Sequence, residues 1–402
     1  MAITVYPNSI WRNVGVLAGC QALLFTNNST LIAINGLAGL SLAPYAALAT
    51  LPVTCWVLGG AIATMPASFH MKRVGRQRGL TLGVLWGIAG ALVCAAAIWT
   101  HSFWLLCLGT LVWGAYNAYG QYYRFAAADI ATPDTRATAI SLVLAGGLVG
   151  GILGPGASRF TVDLVGPKFM GAYLGLIVFA LATMALLRLV RIPTPTEAER
   201  TAAGRPLAEI AAQPKFIVAV LCGAVSYGVM NFLMTSTPIA MQVCGHPYGD
   251  AALVISSHVV AMFAPSLVTG RIIRAFGVLP VMLAGAALNL AAIGVAFAGI
   301  AVANFWWSMV LLGVGWNFLY IGGTTLLTET YRPEERAKAQ GANDQAIFIM
   351  MAISSLTSGM TVTTAGWERV NLFALPLVAL ITAAIVWFWL HQRAQRRAVA
   401  AP

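Results

Sequence analysis

The sequence contains few charged residues. Only 9% of its 402 residues are Asp, Glu, Lys or Arg, and 59% are hydrophobic, whereas a soluble domain is roughly 25% charged. Apolar runs of about 20 residues, the length that crosses a bilayer core, recur from end to end. This excludes an ordinary soluble domain and indicates a helical, polytopic membrane protein. We predict twelve spans, at 11–37, 44–66, 80–99, 103–129, 137–162, 171–190, 214–241, 250–270, 279–298, 303–330, 338–363 and 370–391.

The sequence also lacks the motifs of several enzyme classes. It has no G-x-x-x-x-G-K-[ST] loop, so ATP cannot drive it directly, and it has no HExxH or GxSxG pattern. Its six cysteines show no CxxC spacing and lie in or beside apolar spans, as buried core residues do. His258 is expected to be a packed, hydrogen-bonded residue. We therefore expect no enzyme activity, no cofactor and no metal site.

The net charge of +11 is distributed unevenly along the chain. If both termini are cytoplasmic, the inner loops and helix ends hold 20 of the 23 Lys and Arg residues, and only Arg159, Lys168 and Arg369 lie outside. This follows the positive-inside rule, so the basic charge sets orientation and does not indicate nucleic-acid binding. No cleavable signal pattern is visible at the N-terminus. We expect a multi-pass protein of a bacterial inner membrane.

The two halves of the sequence repeat each other at an offset of 200 residues. "YYRFAAADIATPDTRA" (122–137) and "GGTTLLTETYRPEERA" (322–337) share Pro, Arg and Ala in register, and Glu329 matches Asp129. The one long polar stretch, 191–215, lies between the halves and has the composition of a linker. We predict an N-terminal six-helix bundle at 1–190, a cytoplasmic linker at 191–213 and a C-terminal six-helix bundle at 214–402.

Three short motifs resemble those of the major facilitator superfamily. They are Gly75-Arg76 in a basic loop, "ADIATPDTRA" (128–137) at the end of span four, and "GGILGPG" (150–156) in span five. The resemblance implies twelve helices in two pseudo-symmetric six-helix bundles, with the substrate bound between them during alternating access. The sequence departs from the family pattern in having Lys72 at the aspartate of the basic-loop signature and Thr110 at the arginine of drug–proton antiporters.

The resemblance also implies a cytoplasmic latch in each half, in which the acid ending span four or ten pairs with an arginine of the basic loop. The alternative is that each acid only caps a helix end. The residues assigned to gating in this way are Asp129 with Arg73 or Arg76, Glu329 with Arg271 or Arg274, and the repeated Arg136 and Arg336.

Asp344 lies inside span eleven, where a charge costs at least about 2.5–3.5 kcal/mol at the bilayer centre. Because Lys72 replaces the family's aspartate, one hypothesis is a swapped pair between Lys72 and Asp344 that closes the cytoplasmic side. A second hypothesis makes Asp344 the proton carrier, and a third gives it a local structural role.

A polar stripe in span four is a candidate binding surface. In a helix Trp113, Asn117, Gln121 and Arg124 fall within about 80° of one another. In the family, spans one, four, seven and ten line the central cavity, which adds Gln21, Asn28, Tyr227, Asn231, Asn317 and Tyr320 to the substrate-binding candidates. This set suits a polar, partly planar solute, and Arg124 favours an anion. Alternatively, Arg124 pairs with Asp129 or extends to the membrane interface.

The sequence therefore predicts a secondary transporter. We expect proton-coupled transport of a small, polar, anionic organic solute. The transporter is expected to be a monomer that contacts membrane lipid and no nucleic acid. The alternative is a drug–proton antiporter that exports diverse hydrophobic compounds.

Overall fold

The structure is a computed structural model that describes residues 7–45, 48–194, 196–197, 202 and 204–400. Within these residues the regular structure is helical and contains no β-strand. Helices α1 to α7 are Pro7–Leu42, Leu51–Val74, Arg76–Trp99, Phe103–Gly120, Tyr123–Ile130, Arg136–Thr161 and Met170–Leu189. Helices α8 to α14 are Leu207–Ala211, Pro214–Val243, Tyr248–Phe263, Ser266–Phe276, Val278–Phe297, Val302–Leu327 and Arg336–Ala400.

The helices of the described residues are consistent with twelve membrane spans. Nine helices among the described residues are long and apolar enough to cross a membrane, and α10 with α11 forms a tenth span that is bent by 42°. Helices α4 and α5 together make another span, interrupted at Gln121 and Tyr122. Helix α14 contains two spans, because it kinks at Gly366, whose φ is 78°. The predicted all-α, polytopic membrane fold is confirmed, and the helix order agrees with twelve spans.

The basic segment 70–79 differs from the loop expected from the sequence. It is helical except at Gly75, where α2 ends and α3 begins with φ 90° and ψ 157°. Glycine adopts this positive φ without the steric cost that a Cβ atom brings. The same geometry recurs at Gly277, with φ 90° and ψ 163°, between α11 and α12. These two glycines therefore mark equivalent turns in the two halves of the sequence.

Small residues allow α6 to pack closely against α1. A Cβ atom added at Gly146, Gly150 or Gly154 would collide with α1, including the main chain of Ala18, Ala22 and Thr26. The three glycines are spaced by four residues, so they share one face of α6. Close backbone approach through small residues is how membrane helices gain van der Waals contact without a hydrophobic driving force.

The chain divides into two compact units. One comprises the described part of residues 1–203 together with Pro333–Phe348, and the other comprises Gly204–Arg332 with the described part of 349–402. In the first unit α1 packs on α6, and α4 packs on both α2 and α3. In the second unit α13 packs on α9, α10 and α12. The predicted bundle and linker boundaries, 1–190, 191–213 and 214–402, stay predictions.

Candidate functional site

Arg124 lies just after a break in span four. Helix α4 ends at Gly120 and α5 begins at Tyr123, so the chain turns at Gln121 and Tyr122. The Arg124 side chain is 1% exposed, and its Nη1 donates to the Gln121 carbonyl oxygen at 2.6 Å and to Gln121 Oε1 at 3.1 Å. The break therefore supplies a main-chain acceptor that an unbroken helix would use internally.

Arg124 forms a buried ion pair with Asp344. Arg124 Nη2 donates to Asp344 Oδ1 at 2.5 Å, and the Asp344 side chain is fully buried. Asn343 Nδ2 donates to the same oxygen at 2.8 Å. The Arg124 guanidinium carbon also lies 4.4 Å from the centre of the Phe125 ring. A buried charge is strongly destabilising unless it is paired. Arg124 and Asp344 each supply the counter-charge that the other needs inside the protein.

A second charged cluster surrounds Asp129. Arg76 donates to Asp129 Oδ2 through Nε at 3.1 Å and Nη2 at 3.0 Å, and Arg336 Nε lies 3.5 Å from Oδ1. Arg76 Nη2 also donates to Gln340 Oε1. Asp129 thus pairs with Arg76 rather than with Arg73, which is exposed. Arg136 is the partly buried first residue of α6, and its Nε has no hydrogen-bond partner in the described part of the chain.

The start of α14 contributes to both clusters through one face of the helix. Arg336, Gln340 and Asp344 are spaced by four residues, which places them above one another on a helix. They contact Asp129, Arg76 and Arg124 in that order. Gln340 and Asn343 were not identified from the sequence, although the four-residue spacing from Arg336 to Asp344 could have indicated Gln340. This face is part of the first compact unit.

Two predicted pairings are wrong. Lys72 does not pair with Asp344: its Nζ donates to the Ala202 carbonyl oxygen at 2.9 Å, while Asp344 is bound by Arg124. Glu329 pairs with Lys215, Nζ to Oε2 at 2.8 Å, and not with an arginine of the 270–277 segment. The turns at Gly75 and Gly277 explain why the Glu329 pairing differs from the Asp129 pairing. The residue after the glycine is Arg76 in the first half, where it binds Asp129, but it is Val278 in the second half and cannot bind Glu329. Arg271 and Arg274 are exposed.

The remaining first-unit candidates lie mostly inside the protein. Asn28 Nδ2 donates to Asn117 Oδ1 at 2.9 Å, which joins α1 to α4. Gln21 is 2% exposed and Trp113 is fully buried with an edge-on contact to Tyr116. Trp113 is therefore packed inside the protein, and a ligand cannot reach its side chain in this structure. Gln121 is partly exposed.

The second unit contains an aromatic cluster formed by Tyr227, Trp316 and Tyr320. Trp316 and Tyr320 stack with ring centres 4.8 Å apart, and Tyr227 meets both edge-on at 5.4 and 5.5 Å. Tyr227 is partly exposed, whereas the other two are buried. Asn231, also partly exposed, lies one turn along α9 from Tyr227 and donates to Ser354 Oγ at 2.9 Å. This unit thus combines planar apolar surfaces with an amide group.

Asn317 has a structural position instead of a ligand-facing one. Its Nδ2 donates to the Met262 carbonyl oxygen and to Ser266 Oγ, both at 2.6 Å, and its Oδ1 accepts from Thr269 at 2.7 Å. The side chain therefore satisfies polar groups at the break between α10 and α11, as buried backbone groups require. His258 is fully buried with Nδ1 2.7 Å from the Met309 carbonyl oxygen, which confirms the packed role predicted for it.

Discontinuous spans and ionisable residues buried inside a duplicated helical membrane fold are features of secondary transporters. The model of the Major Facilitator Superfamily matches residues 17–355 and 219–402. The chain belongs to this superfamily, as its motifs predicted, and it is a multi-pass membrane transporter.

Individual relatives agree with this assignment. The chain is 42% identical to the riboflavin transporter RfnT of Brucella anthropi over 380 residues, covering 93% of this chain and 95% of the relative. It is 30% identical to the uncharacterized MFS-type transporter YddS of Bacillus subtilis, covering 87% of this chain and 84% of the relative. The crystal structure of the E. coli fucose:proton symporter FucP matches the fold with a TM-score of 0.75 at 16% identity, covering 94% of this chain and 99% of the other.

Proposed function

We propose that the chain carries a flavin-like solute, with riboflavin as the first candidate, across the cytoplasmic membrane by alternating access. The observation that carries this proposal is the 42% identity to riboflavin transporter RfnT over 93% of the chain. Riboflavin is a small organic molecule with a planar three-ring system and a polyhydroxyl chain. It therefore belongs to the polar, partly planar class that the sequence motifs predicted.

The residues of the second unit support a planar ligand. The partly exposed ring of Tyr227 is backed edge-on by Trp316 and Tyr320, so its orientation is fixed before a ligand arrives. A fixed aromatic face binds a second planar ring by offset stacking or edge contact, worth about 0.5–1.5 kcal/mol beyond the area buried. Asn231 lies one helical turn away, and its Nδ2 donates to Ser354 Oγ at 2.9 Å and to the Met351 carbonyl oxygen at 3.4 Å. Its Oδ1 is an acceptor that suits the imide N–H of a flavin ring.

The charge pattern favours a neutral solute over the anion first expected. The Arg124 guanidinium is already bound to the Asp344 carboxylate at 2.5 Å, so the pair has no net charge. An anion would have to displace this carboxylate or leave it unpaired inside the protein, which is costly. Riboflavin is uncharged at neutral pH, and so avoids this cost.

The same ion pair supports proton coupling. Asp344 is the fully buried acid of the pair, and Gln340 and Arg336 on the same face extend toward Asp129. A proton on Asp344 would cancel its attraction for Arg124 and release the start of α14 from α5. Loss of the proton would re-form the pair. Cycles of this kind convert a proton gradient into alternation between two states.

The test is uptake of radiolabelled riboflavin by proteoliposomes with an imposed pH gradient. We expect saturable accumulation that is inhibited by lumiflavin, which shares the isoalloxazine ring system, and not by ethidium. Asp344→Asn, compared at an equal amount of folded, reconstituted protein, is expected to retain downhill movement of riboflavin but to lose accumulation driven by the pH gradient. The control is Arg188→Gln, which removes an exposed charge at the end of α7, outside these clusters.

Two results would contradict the proposal. Transport of ethidium and other hydrophobic cations with no riboflavin uptake would support the drug–proton antiporter instead. Riboflavin accumulation by Asp344→Asn equal to that of the wild type would remove Asp344 from the coupling step, while leaving the choice of solute intact.

A further inference from the structure

A cavity of about 250 Å³ lies in the first unit, at the end of the bundle predicted to be cytoplasmic. Three cations line it, Lys72, Arg76 and Arg336, and Asp129 is the one acid among the lining residues. Ile192–Thr194 and Pro333 close other parts of the wall, and Ser68 adds a buried hydroxyl group. A water molecule needs only about 10–15 Å³ of such space, so the cavity has room for a polyatomic ion with its remaining waters.

The charges around this cavity do not cancel. Arg76 and Arg336 share the single carboxylate of Asp129, at 3.0 and 3.5 Å. Lys72 donates to the neutral Ala202 carbonyl oxygen. Beyond the wall, Lys338 and Glu334 lie close enough to act on Lys72 with opposite charges. The side chains that line the cavity therefore carry a formal net charge of two positive units.

This excess charge arises from a departure of the sequence from its family pattern. Counting back from Gly75, Lys72 occupies the position of the signature aspartate. An aspartate there would give two acids against two arginines, and the cavity would be close to neutral. The replacement changes the local charge by two units, yet Asp344, the acid expected to compensate it, is bound to Arg124.

We infer that this cavity binds an oxyanion of the phosphate or sulfate class, either a free anion or the phosphate of an anionic lipid. Lys72 supplies a point charge with three donors, and the arginines supply planar donors that match tetrahedral oxyanions. A bound anion would contact α2, the stretch Ile192–Thr194 and the residues that begin α14. It would hold these three segments together and so favour the arrangement described here over other states of the carrier.

The experiment measures the thermal stability of the purified protein during titration with potassium phosphate in neutral detergent. Potassium chloride at the same ionic strength is the reference. We expect wild type to show a saturable rise in melting temperature with phosphate. Lys72→Gln is expected to weaken the apparent affinity about tenfold, the loss of one charge-assisted hydrogen bond. Lys72→Arg, which keeps the charge, and Arg188→Gln, which removes an exposed charge elsewhere, are expected to retain the response.

A second arm separates the two sources of the anion. The protein is placed in nanodiscs of phosphatidylcholine, with or without phosphatidylglycerol, in phosphate-free buffer. Stabilisation by phosphatidylglycerol that Lys72→Gln abolishes would identify a lipid phosphate. A response confined to added phosphate would identify a free anion.

An equal phosphate response in wild type and Lys72→Gln would overturn the inference, because general salt effects act on all variants alike. If Lys72→Gln does not fold, calorimetric titration of wild type decides the question, and absence of saturable heat would reject the site. None of these three measurements contains riboflavin, so the result is independent of the proposed transport function.

Discussion

At the scale of single residues, the Arg124–Asp344 pair shows what a sequence can and cannot reveal. Each residue was recognisable alone, because a charge inside an apolar span must have a reason. Their pairing was not, since 220 positions separate them and the family pattern directed attention to Lys72 instead. A single sequence shows which charged residues lie inside apolar spans. It shows their ion-pair partners only where an internal repeat or a short spacing connects the two residues.

Substitutions in this pair should show strong non-additivity. Asp344→Asn leaves the 1% exposed Arg124 cation without its carboxylate, and Arg124→Gln leaves the buried carboxylate without its cation. Each single change is expected to destabilise the protein by about 3–5 kcal/mol, because it leaves an uncompensated buried charge. The double variant Arg124→Gln/Asp344→Asn contains two neutral amides and should recover most of that loss.

Thermal unfolding of the four proteins in one detergent measures this effect as a double-mutant cycle. A double variant less stable than either single variant would mean that the two residues contribute separately, against the pairing described here.

At the scale of helices, apolar length and periodicity predicted the spans, and turn residues explain where the prediction failed. Helices α2 and α3 run almost to Gly75, because one glycine with φ 90° is enough to reverse the chain. The break of α4 directly follows Gly120, but an isolated glycine is tolerated inside a helical pattern, so the local signal was weak. By contrast, Pro265 lies at the break between α10 and α11, where a proline cannot continue the hydrogen-bond ladder.

Helix α4 should tolerate no added side chain where it crosses α2. A Cβ atom at Gly114 would lie under 3.0 Å from main-chain atoms of Trp56, Gly59 and Gly60, which cannot move as a flexible side chain can. Gly114→Ala is therefore expected to destabilise the protein by about 1–3 kcal/mol. Gly294→Ala on α12 is the matched control, because a Cβ there meets nothing within 4 Å.

The control should be neutral or slightly stabilising, since alanine favours a helix over glycine. Melting temperatures and folded yield from size-exclusion chromatography check the comparison. Equal stability of the two alanine variants would show that α2 and α4 are further apart than described.

At the scale of the whole chain, the duplication preserved the positions of the two acids, Asp129 and Glu329, but not their partners. Asp129 and Glu329 occupy equivalent positions, yet the first binds Arg76 in a largely buried site and the second binds Lys215 near the surface. The offset of 200 residues identifies the two acids as counterparts in the sequence. It could not predict the partners, because the turn after Gly277 supplies Val278 where the first half supplies Arg76. Equivalent positions in the two halves therefore differ in how much stability they provide.

Loss of the basic partner should consequently affect the two halves unequally. Arg76 and Asp129 are 11% and 8% exposed, and Arg76 also donates to Gln340, so Arg76→Gln is expected to cost about 1.5–3 kcal/mol. Lys215 and Glu329 are 31% and 44% exposed, and solvent screening limits the cost of Lys215→Gln to about 1 kcal/mol at most. Both changes remove one positive charge, so net charge is matched. Melting temperatures at low and high salt measure the difference. We expect salt to reduce the small effect of Lys215→Gln further. Salt should change the effect of Arg76→Gln little, because buried ion pairs are poorly screened. Equal shifts for the two variants would mean that the repeated acids are held by equivalent interactions after all.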